Sequence, residues 1–485
     1  MKKKAQYEIW GVVGLTAVAF TLRWIYIGRQ SLWLDELFSV FLVRKNWWEI
    51  IQGTAQDILP PLYYLLLKIM MQFGENATAA RALSAIASTV TVPVAFYFGK
   101  RLVDRKFAWV AAGLLAVNPF HVVYAQEARM YSLFGLSFLL SAYFFWQAWH
   151  DSSRKSWGFF TIFTILSFYT HSLAFLNLLA LDLFVFTQRA TLKKQWRPWL
   201  AAHLLIGVTF LPWAVVILRQ TARLGGAFAG RGQSPVTLLT SMYLFLLGTA
   251  APPMVTAVSL FATLTLLAFA LLATIYRRIS KPDVLLFIFL MYAVPVLGLF
   301  IISFQSPIFV ERRLLPATFG LYFFLAWVIT AVNPSRLNQL LGVVLGLSMV
   351  ASLPGYYLEP QKIPMHEVAR FVSEQFEAGD TIIHVTDTSA LAFAFYEPQL
   401  PNHFLAGDPD YLAQTNRGRA QRIAGLIPEA PDKIVVDQKR LWLIVTLDHQ
   451  IEYQQQRVDQ FEAQYQQIDH QNVGGVDLIL YLLAN

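Results

Sequence analysis

Apolar stretches near or above the length that crosses a bilayer recur from residue 8 to about residue 354, with polar residues gathered between them. We count eleven, at approximately 8–28, 79–99, 107–124, 131–149, 157–170, 172–188, 199–218, 254–276, 283–303, 314–332 and 337–354, and each predicts a transmembrane helix. After Pro354-Gly355 the pattern becomes that of a soluble α/β fold. It predicts a helix near 364–377, a strand from Thr381, a helix near 388–396, a strand over Leu441–Leu447, a polar helix near 450–467 and a closing strand over Val476–Leu483. Roughly 130 residues are enough to bury one core. The expected fold is therefore an α-helical polytopic membrane domain, 1–354, followed by an α/β domain, 355–485.

Between the first two spans the chain runs through residues 29–78, too long for a plain connector. The stretch Trp33–Ile51, with Trp47 and Trp48, reads as an amphipathic helix lying in the interface. Pro60-Pro61 then opens a second helix, Leu62–Phe73, because proline is tolerated in a first turn. A second long segment, 219–253, carries Arg219, Arg223, Arg231, three glycines between 225 and 230, and Pro252-Pro253. Segments of that length usually bind something or move.

A length of 485 residues alone suggests about three soluble domains. The mean hydropathy of +0.47 and a charged fraction of 14% override that reading. The clusters Lys2-Lys3-Lys4, Lys100/Arg101/Arg105/Lys106, Arg154/Lys155, Arg189/Lys193/Lys194/Arg197, Arg277/Arg278/Lys281 and Arg336 all fall on one side of the eleven spans. By the distribution of Lys and Arg that side is the cytoplasm, which puts the N-terminus inside, the C-terminal domain outside, and the chain in the plasma (inner) membrane. It also accounts for much of the net charge of +8 without nucleic acid. The N-terminal span lacks a small-residue cleavage site and reads as a retained helix. The absence of cysteine excludes disulfides and thiolate chemistry.

Sorted by side, Asp35, Glu36, Asp57, Arg81, Glu127, Arg129, Tyr131, His171, Glu311, Arg312 and Arg313 all fall opposite the cationic clusters. Desolvating the adjacent carboxylates Asp35 and Glu36 at a membrane surface is costly unless a cation, a hydroxyl or a substrate answers them. An N-cap or interfacial pair is the plainer alternative. Carboxylates beside arginines suggest an acid/base site next to an anion site, and guanidinium suits phosphate. A polyprenyl-phosphate sugar has the matching shape, with its tail in lipid and its phosphate at the surface. Asp35 or Glu36 would take a proton from an acceptor hydroxyl, and Arg129, Arg312 or Arg313 would hold the phosphate. Trp33 and Tyr63 are the aromatics expected near a sugar. His171 reads at least as well as a structural histidine, and Glu311 with Arg312 as an interfacial pair. No cluster has metal-ligand spacing and no phosphate-binding loop is evident, so no cofactor and no metal are expected.

These residues sit in recognisable strings: Leu32-Trp33-Leu34-Asp35-Glu36, Pro60-Pro61-Leu62-Tyr63-Tyr64, Gln126-Glu127-Ala128-Arg129-Met130-Tyr131, Tyr169-Thr170-His171 and Glu311-Arg312-Arg313-Leu314-Leu315-Pro316. In that order they resemble the class C membrane glycosyltransferases, specifically the family 39 and protein O-mannosyltransferase-like enzymes, a group similar to the lipid A aminoarabinose transferases. The resemblance covers about 1–354 and implies the class C architecture. It implies a polyprenyl-monophosphate donor, a lipid, glycan or protein acceptor, Asp35 as the catalytic carboxylate with Glu36 its neighbour, and Arg129 at the donor phosphate. One departure is plain: many relatives carry His or Lys before the Pro-Pro pair, where this chain has Leu59, and Arg81 and Arg313 are the candidates to replace it. Two other classes compete. A transporter or flippase of lipid-linked sugars would place charges midway through broken helices and show repeated halves, neither of which is seen. A membrane assembly scaffold would not need the carboxylates.

Overall fold

The computed structural model describes residues 2–57, 59–223, 234–276, 281–306, 308–332, 335–405, 417–429, 431–434, 438–448 and 451–483. Arg231, the three glycines between 225 and 230, Arg277 and Arg278 lie outside the described residues.

Among the described residues, sixteen α-helices lead to the end of the apolar region. They are α1 Lys2–Trp24, α2 Leu34–Arg44, α3 Trp47–Gln56, α4 Leu62–Met70, α5 Ala77–Leu102, α6 Arg105–Val117, α7 Pro119–Ala125 and α8 Tyr131–Asp151. After these come α9 Arg154–Thr170, α10 Ala174–Thr187, α11 Arg189–Arg223, α12 Pro235–Leu247, α13 Pro253–Ile275, α14 Pro282–Ile302, α15 Leu315–Ala331 and α16 Ser335–Leu358. All eleven segments expected as spans fall on helices. Among the described residues, six helices are long and apolar enough to cross a bilayer by themselves, or seven when α6 and α7, bent by 54°, count as one. The segments 8–28, 131–149, 157–170 and 172–188 fall on α1, α8, α9 and α10, outside that set.

The chain forms two compact units. The first comprises 1–27, 59–66 and 81–359, and the second 28–58, 67–80 and 360–485. In the first unit α15 packs against α6, α8, α14 and α16. It is apolar on every side, as a helix enclosed by others must be. At Gly320 a Cβ would stand 2.7 Å from the backbone N of Tyr292, so the glycine sets how closely α15 approaches α14.

The second unit is built on a six-stranded sheet of β1 Asp380–His384, β2 Asn402–Leu405, β3 Pro428–Glu429, β4 Arg440–Val445, β5 Gln466–Val473 and β6 Val476–Leu482. Its order is β3-β2-β1-β4-β6-β5, with the first four strands parallel and β6 antiparallel to both β4 and β5. Helices α17 Met365–Gln375 and α18 Asp387–Tyr396 match the sequence reading. Strand β1 is buried throughout, as expected of a parallel strand covered on both faces. Ile383, Leu441, Leu443, Val445, Ile479 and Tyr481 pack with Val458 and Phe461 of the helix Ile451–Gln464.

The stretch read as one interfacial helix, 33–51, is two. Lys45 ends the first, its N–H donating to Leu42 O, and Asn46 caps the second: the Asn46 side chain accepts from Glu49 N at 2.9 Å, while Glu49 accepts from Asn46 N at 3.0 Å. That reciprocal pair satisfies two donors at a helix start and fixes the break after Arg44.

Candidate active site

In the second unit, Asp35 and Glu36 occupy the first turn of α2, where carboxylates are favoured by the exposed N–H groups of the helix end. Glu36 is fully buried. Its Oε2 accepts from Trp33 N at 3.3 Å and from Lys362 Nζ at 2.9 Å. Asp35 is only partly buried. The loop entering α2 is pinned at three points: Tyr396 Oη accepts from Leu32 N at 2.7 Å, Ser31 Oγ accepts from His366 N at 3.0 Å, and Lys362 holds Glu36. Helix α2 packs against α3, α18 and the helix Arg417–Ala424. Asp57 caps the C-terminus of α3, its N–H donating to Gly53 O at 2.9 Å, and Trp33 sits at the N-cap of α2.

The first unit gathers the arginines and aromatics. Tyr63, fully buried on α4, contacts Ser84 Oγ at 3.0 Å, and Ser84 Oγ lies 2.9 Å from the carbonyl of Arg129. Tyr64 stands edge-on to Tyr63, with ring centres 5.8 Å apart, and its hydroxyl is 3.5 Å from Arg129 Nη1. The segment carrying Glu127 and Arg129 is tight: Arg129 N donates to Glu127 O at 2.8 Å, and Gln126 donates to the carbonyls of Arg23 and Ile25. Gln126, Glu127, Arg129 and Tyr131 are all buried. Arg312 lies over the Tyr131 ring at 5.7 Å, and Tyr131 is in ring contact with His171.

His171 stacks on Phe134 and accepts at Nδ1 from Leu173 N at 3.1 Å, just before α10. It lies within electrostatic reach of Arg129 and Arg313. Arg313 donates to Ile308 O at 2.8 Å, beside Glu311 in a single 3-10 turn. Arg81 is buried at the start of α5 and donates to Ile27 O at 2.7 Å. Leu59 is buried and apolar.

The predicted residues thus form two groups. Tyr63, Glu127, Arg129, Tyr131, His171 and Arg312 are linked in the first unit; Trp33, Asp35 and Glu36 share one helix start in the second. Tyr64, Ser84, Lys362 and Tyr396 were missed. Tyr64 lies in the string Pro60-Pro61-Leu62-Tyr63-Tyr64, but the contacts of Lys362 and Tyr396 span more than 300 positions and leave no local signal. Among the described residues no three His, Cys, Asp or Glu side chains gather as a metal site.

The model of the dolichyl-phosphate-mannose-protein mannosyltransferase family matches residues 59–216, the stretch that carries Tyr63, Arg81, Arg129, Tyr131 and His171. No curated protein sequence matches the chain. Among solved structures, ArnT from Cupriavidus metallidurans in the apo state superposes with a TM-score of 0.65 at 11% identity, covering 98% of both chains. The chain has the class C membrane glycosyltransferase fold. The same ArnT bound to undecaprenyl phosphate gives 0.64 at 11% identity over 97% of both chains. The archaeal oligosaccharyltransferase AglB from Archaeoglobus fulgidus, solved with an inhibitory peptide and a dolichol-phosphate, gives 0.52 at 11% identity, over 98% of this chain and 74% of that one.

Proposed function

We propose that this protein is a membrane glycosyltransferase that moves a sugar from a polyprenyl-monophosphate donor to a hydroxyl of a lipid, glycan or protein acceptor. The observation that carries the reading is the buried network Tyr63–Ser84–Arg129–Tyr64, which presents a guanidinium from a rigid setting within a class C fold. ArnT and AglB, whose folds match, were solved with polyprenyl phosphates.

In this reading Asp35 accepts the proton of the acceptor hydroxyl as its oxygen attacks the anomeric carbon. The bond from that carbon to the phosphate oxygen breaks with inversion, and polyprenyl phosphate departs with the electron pair. Arg129, aided by Arg312, Arg313 and Arg81, stabilises the charge left on the phosphate. A monophosphate leaving group held by guanidinium needs no metal. Glu36, Trp33, Asp57, Tyr63, Glu127, Tyr131, His171 and Glu311 position substrates. The reading keeps the eleven-span topology, the cytoplasmic N-terminus, the inner-membrane location and transfer on the outer face.

The test is purified protein in detergent, given radiolabelled polyprenyl-phosphate sugars one at a time with extracted acceptor lipids and glycans. The expected result is release of label from one donor class, dependent on Asp35. Donors left intact across the panel, with label instead crossing the bilayer of proteoliposomes, would replace the enzyme with a flippase.

A further inference from the structure

In the first unit, α6, α15 and α16 enclose an apolar groove of about 350 Å³, a volume typical of small-molecule sites. Its floor is glycine: Gly113 from α6, and Gly342 and Gly346 from α16. Val110 and Ile329 wall it, and Gln339 stands at one end. Nothing lies within 4 Å of where a Cβ would stand on Gly113 or Gly346, so the space is real. Beside it, Leu340, Val343 and Leu347 of α16 are exposed, so the groove faces lipid.

The direction of the two helices decides what stands at its mouth. Asn118 Nδ2 approaches Met349 Sδ at 3.9 Å, and Val122 packs with Leu353 and Tyr356. Asn118 follows α6 directly and Val122 lies on α7, so from the end of α6 onward the chain climbs alongside α16; with Val110 and Gln339 lining the same groove, the N-terminal ends of α6 and α16 lie towards the same end of it. Lys106 precedes Val110 by one turn on the groove stripe of α6, and Arg336 precedes Gln339 and Val343 on that of α16. Both side chains are exposed. The acids nearby are engaged: Glu8 pairs with Lys100 at 2.5 Å and Arg105 at 3.2 Å, and Asp104 caps α6 by accepting from Phe107 N. An apolar channel therefore opens, at one end, onto two cations with an amide beside them.

We propose that this groove binds an anionic phospholipid, one acyl chain lying over Gly113 and Gly346 and the phosphate held by Lys106 and Arg336. Charge complementarity selects the occupant: a zwitterionic lipid would fill the channel equally well but gain little from two cations.

The experiment is native mass spectrometry of the intact, delipidated protein titrated with phosphatidylglycerol, phosphatidylcholine and undecaprenyl monophosphate. The expected preference for phosphatidylglycerol over phosphatidylcholine is about thirtyfold, falling to about one in Lys106→Gln/Arg336→Gln. Gly346→Leu, which fills open space without displacing a neighbour, should weaken binding of every lipid at the site. Equal binding of the two phospholipids by the wild-type protein overturns the proposal. So does preference for undecaprenyl monophosphate that is lost in Gly346→Leu, and so does a shift of Gly346→Leu from dimer to monomer without change in bound lipid.

Discussion

Lys362 Nζ stands 2.9 Å from the Glu36 carboxylate, which is itself fully buried at the start of α2. Burying a carboxylate is costly unless it is paired and hydrogen-bonded, and Glu36 has both the ammonium and the Trp33 N–H. Asp35 lies one position earlier, so it points about 100° away around the helix and stays partly accessible. Two adjacent carboxylates thus have two settings: Glu36 fastens the entry loop, and Asp35 is the more accessible of the two.

Asp35→Asn is therefore expected to leave the protein folded and inserted while lowering transfer by about 10²–10⁴-fold, the usual worth of a general base. Turnover is compared at matched expression and melting temperature. Wild-type rates in Asp35→Asn would remove Asp35 as base, and a loss confined to Glu36→Gln would move that role along the helix.

The Glu36–Lys362 pair makes a separate prediction about stability. Lys362→Met removes the ammonium 2.9 Å from a buried carboxylate and should cost more than Glu36→Gln, which leaves an 11% exposed ammonium. The double variant should recover about 1–3 kcal/mol relative to the sum of the singles, read from thermal unfolding in detergent. Strict additivity would show that the contact contributes nothing.

Arg129→Lys keeps the charge at a buried position but removes the paired donors of the guanidinium fork. We expect KM for the donor to rise about tenfold or more, with Arg129→Ala worse still, and Tyr64→Phe to have a smaller effect because the Tyr64 contact is long, 3.5 Å. Unchanged donor affinity and turnover in Arg129→Ala would disprove the phosphate assignment.

The helices on the eleven apolar segments and the strands β1, β4 and β6 are legible because each carries its own periodicity, whereas α12, inside the segment 219–253, and the short strands β2 and β3 are not. Strand β5, Gln466–Val473, was not: it is a polar edge strand, exposed at nearly every position, so it has no apolar face to read. The signal available was Gly474-Gly475, whose positive φ values of 60° and 86° form the tight turn into β6. The break between α2 and α3 is marked by Asn46-x-x-Glu49, a local signal that the longer amphipathic pattern over 33–51 masks. Asp35 and Arg129 could be singled out because charge in apolar sequence is conspicuous. Lys362 could not, since its partner lies 326 positions away.

The α/β domain should also lose stability in acid, in two stages set by two buried groups. His384 is enclosed on β1, its Nε2 at 3.1 Å from Asn402 Oδ1, and burial holds its pKa down to about 4, against 6.5 unperturbed. The unfolded chain therefore takes up this proton first as pH falls, so stability drops progressively from about pH 6.5 towards 4, by up to about 3 kcal/mol. Asp380 behaves differently. Burial works to raise its pKa, but hydrogen bonds from Arg440, at 2.7 Å to each carboxylate oxygen, from Glu377 N and from Trp442 bring it below 3.8. Its contribution is full above that value and is lost only as pH falls further, through the folded-state pKa. Melting curves of the detergent-purified protein between pH 8 and pH 3 should then separate the two. His384→Gln should flatten the decline between about pH 6.5 and 4 and leave the loss below about pH 4 in place. Asp380→Asn should cost about 1.5–3 kcal/mol at neutral pH and abolish the limb below about pH 4. A decline between pH 6.5 and 4 that is identical in wild type and His384→Gln would assign it to other groups.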